Sequence, residues 1–361
     1  MHLRLTVALS LLLSGTAWAQ SDPWRFAVAG DSRDCGNIVM PAIAAEARKD
    51  GAAFYWHLGD FRAIFKVDQD YSSERRFARY RYRPTIFDYL DTAWADFTQH
   101  QLSPFGDMPV FLGIGNHEVI PPKTVTQYRI EFLPWLDRPE LRAQRNRDEA
   151  TRPPIPSTAP DQTYNHWIWK GVDFINLDNS LDDAFDEPQL TWLDAVLDAD
   201  LADDNVRSIV VGMHDPLPYS RASGHDMGDT AEGLASGTRV YHRLTEVQRV
   251  KPVYVVATHA HYYLANSFDS PHWRGDVDHG VLPGWIVGTA GAERYPLPDG
   301  VPAGPDAREH VYGYLLGEVS SNGAIHFAFR EVGEAALQAT RTDDYDTATV
   351  AACFAGNPVA K

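Results

Sequence analysis

The sequence predicts an α/β protein built on a mostly parallel sheet. The first observation behind this is local. Residues 24–29 (Trp-Arg-Phe-Ala-Val-Ala) form an apolar run that ends at Gly30-Asp31, residues 38–49 have helical spacing, and residues 54–58 form a second run that ends at Gly59-Asp60. A strand–helix–strand unit with a carboxylate at each strand's C-terminal end is how an open α/β sheet presents a site. The second observation is repetition. Five apolar runs stop at a residue able to bind a metal, and four of them place a glycine one or two positions before it. The third is composition: 44% apolar residues and 10 Trp describe a globular chain with a sizeable core.

In order along the chain, the near-continuous apolar character of 24–29 suits a central parallel strand. Ile38, Ile43 and Ala47 share one helical face, and Gly51 ends that helix. Residues 61–107 read as an aromatic and basic insertion. Residues 74–83 carry five arginines, and Phe87, Leu90, Trp94 and Phe97 have the spacing of a helix. The arginines read either as a solvated face that pairs with the protein's own carboxylates or as a rim for an anionic substrate. Residues 108–114 are a third strand, ending at Gly115-Asn116-His117-Glu118. Residues 121–165, rich in Pro, Arg and Asp, read as a long loop with a short helix near 128–136.

Residues 167–169 and 172–177 predict a hairpin turning at Lys170-Gly171, and Leu190, Leu193, Val196, Leu197 and Leu201 predict an amphipathic helix. Residues 208–211 are a core strand running into Gly212-Met-His214. Residues 218–238 read as a loop and 241–250 as a helix. A buried strand, 252–257, then delivers Thr258-His259-Ala-His261. A strand at 283–288 and a last hairpin follow, residues 312–319 and 324–332, whose turn holds Asn322-Gly323.

The start of the chain is a separate object. Arg4, the apolar run 5–13 and Ala17-Trp-Ala19 have the form of a secretory signal peptide covering 1–19. No other stretch is long and apolar enough to cross a membrane. Residues 20–361 read as a single domain with insertions near 61–107 and 121–165, working in the periplasm or outside the cell. The formal charge of −17 excludes general attraction to nucleic acid, although a metal can still hold a phosphate locally. In an oxidising compartment the only two cysteines, Cys35 and Cys353, suggest one disulfide from the loop after the first strand to the tail. The alternative is two buried thiols.

Each strand-end signal is weak alone. Together, in this order, Gly30-Asp31-Ser-Arg33, Gly59-Asp60-Phe-Arg62, Gly115-Asn116-His117-Glu118, Gly212-Met-His214 and Thr258-His259-Ala-His261 resemble the motif series of the calcineurin-like metallophosphoesterases, with purple acid phosphatases as secreted relatives. The resemblance runs from about Arg25 to Arg294. It implies a four-layer α/β/β/α sandwich and hydrolysis of phosphate esters by a two-metal centre (Mn, Fe or Zn), with hydroxide held by the metals as nucleophile. By the same resemblance Asp60 bridges the ions, Asp31 and His261 hold the first, Asn116, His214 and His259 hold the second, and His117 serves the leaving group; on physical grounds the adjacent Glu118 is expected to orient its ring. Mixed imidazole, carboxylate and amide donors suit such metals better than Ca or Mg.

Two positions depart from the family pattern. Arg33 stands where much of the family has a metal-binding His, and Ala63 stands where purple acid phosphatases have a Tyr ligand; the latter predicts no purple colour. Arg33 stays protonated and cannot bind a metal. It reads either as a contact to the substrate phosphate or as a partner of Asp34. The expected activity is hydrolysis of small phosphomonoesters. The alternatives are a phosphodiesterase of the same fold and a catalytically weak metal-binding scaffold, the latter motivated by the thinned first metal site. His57, His166, His225, His242, His272, His279, His310 and His326 have no motif support and read as structural or exposed. Trp285 and Tyr295 read as core.

Overall fold

A computed structural model describes residues 22–156, 158–222 and 224–355; the expected signal peptide lies outside them. Twelve strands form two sheets: β1 (Trp24–Ala29), β2 (Ala52–His57), β3 (Val110–Leu112), β4 (Asn165–Trp169), β5 (Val172–Asn176), β6 (Ser208–Gly212), β7 (Val253–Ala257), β8 (Tyr263–Ala265), β9 (Gly284–Val287), β10 (Ala307–Arg308), β11 (Gly313–Val319) and β12 (Ile325–Glu331). One sheet has the order β12-β11-β1-β2-β3 and the other β10-β8-β9-β7-β6-β5-β4. Both are mixed. β1, β2 and β3 run parallel, with β3 at one edge, as do β5, β6, β7 and β9, and antiparallel strands close the other three edges.

The period of two along each strand sorts side chains between layers. Phe174, Val210 and Val256 face the first sheet and join its core. Their neighbours Ile175, Val211 and Val255 face outward and pack with the helices Glu187–Ala202 and Ala231–Gln248. Between the sheets, Phe174 meets Phe26 at 4.9 Å and Phe54 at 5.0 Å edge to face, and Trp167 stacks on Phe111 at 3.8 Å. On the far side of the first sheet, the helix Gly36–Lys49 packs against β2 and β11. The layers are therefore helix, sheet, sheet, helix. The helix Pro271–Gly275 also covers the second sheet through Trp273, which stacks on Tyr241 at 3.5 Å.

Two stretches read as loops contain helices. Pro139–Ala150 is helical, with only Leu141, Gln144 and Asp148 buried, so its sequence shows charges and almost no apolar face. The helix after β6 begins at Ala231, capped by the Thr230 side chain on the Gly233 amide. Gly233 and Gly237 disguised its first turns. A Cβ on Gly237 would sit 2.5 Å from Pro218 Cδ, so close packing rather than flexibility explains that glycine. In the insertion 61–107, the helix Ile86–Phe97 carries the expected apolar face behind a Thr85–Asp88 capping box. Arg76 pairs with Glu74 at 2.6 Å, as a solvated basic face would. Cys35 and Cys353 are disulfide-bonded, with Cα atoms 6.0 Å apart, and tie the helix Thr347–Ala355 to the loop after β1.

The helix Pro139–Ala150 is joined to the second sheet by a buried ion triad. His166 Nδ1 lies 2.7 Å from Asp173 Oδ2 and its Nε2 lies 3.1 Å from Asp148 Oδ2. Burial opposes charge on the ring, but Asp173 and Asp148 on either side outweigh it and hold the imidazolium up to about 10. The folded-state pKa is raised above the unfolded value, so this stabilisation is full below pH ~6.5 and is lost as pH rises through about 10. The stability deficit of His166→Gln relative to wild type, measured by urea unfolding, is therefore expected to be largest at mildly acidic pH and to shrink steadily as the pH climbs. A deficit that does not change with pH would contradict the charged triad.

Candidate metal centre

The candidate ligands gather because the parallel strands all end on one side of the two sheets. Asp31 follows β1, Asp60 follows β2, Asn116 follows β3, His214 follows β6, and His259 and His261 follow β7. Three of them are held in an unusual backbone state. Asp31 has φ 60°, Asp60 has φ 59° and His259 has φ 63°. For residues with a Cβ this left-handed region costs free energy, and its clustering marks a functional site. The chain also passes itself closely. A Cβ on Gly59 (φ 94°) would lie 2.3 Å from the Gly115 nitrogen, and one on Gly115 would lie 2.3 Å from Asp60 Oδ1.

Glu118 fixes this crossing. Its fully buried carboxylate accepts the backbone N–H groups of Asp60, Phe61 and Gly115, each at 2.8 Å. Burial, reinforced by the neighbouring Asp60, pushes the Glu118 carboxyl well up, and the three amides oppose that shift. The expectation that Glu118 orients His117 is thus corrected. His117 donates from Nδ1 to the Ala63 carbonyl at 2.8 Å, leaving Nε2 toward the centre, 3.5 Å from Asp60 Oδ2. The position that lacks a tyrosine side chain still contributes, through its backbone.

One half of the centre gathers potential metal-donor atoms around His214 Nε2. His214 donates Nδ1–H to the Leu58 carbonyl at 3.0 Å, so Nε2 of the neutral ring is an acceptor. That Nε2 faces Asn116 Oδ1 at 3.0 Å, His259 Nδ1 at 3.2 Å and Asp60 Oδ1 at 3.3 Å. Donor atoms of Asp60, His214 and His259 all lie within 4.8 Å of one another. Burial and the adjacent His214 push His259 down to about 3, so its ring offers a lone pair at neutral pH. This donor set fits a first-row transition-metal ion. The Leu58 carbonyl behind the His214 ring sets its orientation, as a metal-binding imidazole requires.

The other half differs. His261 donates Nδ1–H to the Glu293 carbonyl at 2.6 Å, and its Nε2 lies 3.1 Å from Asp31 Oδ1. Arg33 Nη2 also reaches that Nε2, at 3.1 Å. The guanidinium lies 3.8 Å (Nε) from Asp60 Oδ2 and 3.6 Å (Nη1) from Asp34 Oδ2. Lys66 holds the other oxygen of Asp34 at 3.0 Å. The reading of Arg33 as only a partner of Asp34 is therefore too narrow. The structure puts a side-chain cation where the family resemblance puts the first metal.

Tyr295 and His225 belong to the site as well. Tyr295 packs on the His261 ring at 4.1 Å, and the nearby Arg33 guanidinium opposes the rise that burial gives its phenol pKa. His225 stacks on Tyr295 at 5.3 Å and meets the His259 ring at 5.5 Å. Both line a cavity of about 460 Å³ with Tyr262, Leu297 and Pro298. Tyr295 read as core because an isolated aromatic residue carries no motif. Trp285, by contrast, does pack in the core, on Phe327 at 4.2 Å. The remaining unsupported histidine near the centre, His57, contacts Ser32 Oγ at 2.9 Å, and burial drives it down to about 3.

The backbone resembles that of purple acid phosphatase PPD1 from yellow lupin (Lupinus luteus), with a TM-score of 0.57 and 13% identity over 95% of this chain. This chain spans 57% of the lupin protein's length. It also resembles PhoD, with a TM-score of 0.50 and 13% identity over 87% of this chain and 72% of PhoD. The fold is that of the calcineurin-like metallophosphoesterases. No protein-family model matches the sequence, and a search of curated proteins finds no match. Among the described residues, no helix is long and apolar enough to cross a membrane.

Because Glu118 satisfies three buried amides at once, Glu118→Ala is expected to lower stability by about 3 kcal/mol or more. Calorimetry would show this as a drop of several degrees in Tm, accompanied by weaker metal binding. An unchanged Tm would show that water replaces the carboxylate without loss.

Proposed function

We propose that this protein is a metal-dependent phosphoesterase that hydrolyses small phosphate monoesters. The observation that carries the reading is the cluster of metal-donor atoms on Asp60, Asn116, His214 and His259 at the strand ends of a metallophosphoesterase fold. Those four residues would hold the ion. A bound transition-metal ion supplies Lewis acidity toward a phosphoryl oxygen and acidifies water.

The protein's own groups account for the rest of the reaction. Arg33, with 6% of its surface exposed and fixed beside Asp31 and His261, places a permanent positive charge against the phosphate. That added charge favours the dianion of a monoester over a singly charged diester. As water adds to phosphorus and the P–O bond to the leaving group breaks, the departing alkoxide needs a proton. His117, pinned at Nδ1 by the Ala63 carbonyl, can deliver it from Nε2 in its imidazolium form, which burial disfavours and the Asp60 carboxylate favours. Asp60 receives the His117 backbone N–H at 3.0 Å, which keeps the carboxylate and that ring in register. His225, Tyr295 and the cavity beside them would receive the organic part of the ester. The Cys35–Cys353 bond and the expected leader both support work in an oxidising compartment, the periplasm or the cell exterior.

The test is to strip the protein with a chelator, restore Mn, Zn or Fe in turn, and follow hydrolysis of p-nitrophenyl phosphate and of its bis-ester. Turnover that returns with metal and is lost in Asn116→Ala and His214→Ala is the expected result. No turnover with any metal, in a folded protein that retains the ion, would identify a metal-binding scaffold instead. His117→Ala is expected to lower kcat for an alkyl phosphate by about 10²-fold or more. The loss should be far smaller for p-nitrophenyl phosphate, whose leaving group departs without protonation. Equal losses on both substrates would remove His117 from the acid role.

A further inference from the structure

We propose that the Arg33 guanidinium takes the place of one of the two metal ions of the centre, so that this chain binds a single ion, at Asp60, Asn116, His214 and His259. The inference rests on the proposed metal-dependent function and fixes what its centre contains.

His261 has only one ring nitrogen to offer a metal. Its Nδ1 is committed to the Glu293 carbonyl, which leaves the lone pair on Nε2. That lone pair points at Arg33 Nη2, 3.1 Å away. A guanidinium offers only N–H donors and does not deprotonate, so the contact is a hydrogen bond from Arg33 to the imidazole. The same cation faces Asp60 Oδ2 at 3.8 Å, the oxygen that would have to bridge to a second ion. Asp31, the remaining donor on this side, spends Oδ2 on the His259 backbone N–H at 2.9 Å and turns Oδ1 toward His261. The three donors left for a second ion therefore already surround a positive charge.

Arg33 has nowhere else to go. Its side chain is buried, Tyr295 closes it in from the side of His261, and Asp34 and Lys66 occupy the space beyond Nη1. A dication brought beside it would meet a fixed like charge in a poorly hydrated pocket, where repulsion is weakly screened. The half built around His214 Nε2, from Asn116 Oδ1, His259 Nδ1 and Asp60 Oδ1, has no such cation among its donor atoms. The two halves thus divide the positive charge between one exchangeable ion and one side chain.

The experiment counts metal rather than activity. Full-length mature protein is stripped, incubated with Mn(II), desalted and assayed by mass spectrometry of the metal, with electron paramagnetic resonance of the same sample. The expected result is one Mn per chain with the spectrum of an isolated ion. Arg33→His, which restores an imidazole at that position, should rise to two per chain and give the spectrum of an exchange-coupled pair. Asn116→Ala in the otherwise unchanged protein should retain no ion. Two ions in the wild type, one ion kept by Asn116→Ala, or a folded Arg33→His that stays at one would each overturn the proposal. If Arg33→His does not fold, the wild type and Asn116→Ala still decide. No ion bound by the wild type with Mn, Zn or Fe would overturn the metal-dependent function itself, an outcome distinct from the other three.

Discussion

Acceptor atoms brought together under low hydration are the constraint around which this protein is organised. Asn116 Oδ1, His259 Nδ1 and Asp60 Oδ1 lie 3.0, 3.2 and 3.3 Å from His214 Nε2, the ring nitrogen left over once Nδ1 donates to the Leu58 carbonyl. Such crowding of buried acceptors favours a cation among them, because backbone N–H groups such as that of His117 repay only part of the water they lose. Everything nearby works to keep the acceptors in place. Leu58 and Glu293 carbonyls fix the imidazole tautomers, Glu118 clamps two strand-end loops, and three candidate ligand residues remain in the left-handed backbone region.

The scaffold beneath is itself a network of buried charge. Arg62, two residues after Asp60, is fully buried and donates to Asp70 at 2.9 Å, Asp68 at 3.3 Å and Asn37 Oδ1 at 2.6 Å, and it pairs with Asp96. Asp68 also accepts the backbone N–H groups of Asp34 (2.9 Å) and Ala63 (3.2 Å). The network therefore holds the loop that carries Arg33 and the carbonyl that orients His117. In physical terms the insertion 61–107 builds the floor of the centre. Breaking one member of so buried a set leaves the others uncompensated.

Much of this could be read from the chain. The strand-end ligands stood out because an apolar run that stops abruptly at Gly-Asp or Gly-Asn-His is a local signal, and five of them in order are hard to obtain otherwise. The core followed from the same runs. What could not be read was whatever depends on atoms that every residue possesses. The carbonyls of Leu58, Ala63 and Glu293 look like any others in a sequence, and only their positions make them ring anchors. The helix Pro139–Ala150 was hidden because it buries polar Gln144 and Asp148 along with a single leucine. β8 and β10, of three and two residues, are too short for periodicity to show. Arg33 was visible as a departure from the family pattern, but its direction was not: the sequence could not say whether the side chain turned outward to Asp34 or inward to His261.

The Cys35–Cys353 bond joins the last described helix to a residue two positions after Arg33, and the bonded pair is 318 residues apart in the chain. During synthesis the segment bearing Asp31 and Arg33 leaves the ribosome long before its covalent partner does. Both sheets are complete by the end of β12, ahead of Cys353. The loop that sets the charge of the centre can therefore be locked only after every strand has been made. A chain truncated before residue 353 would contain every strand of both sheets and lack the covalent closure of the loop that carries Arg33.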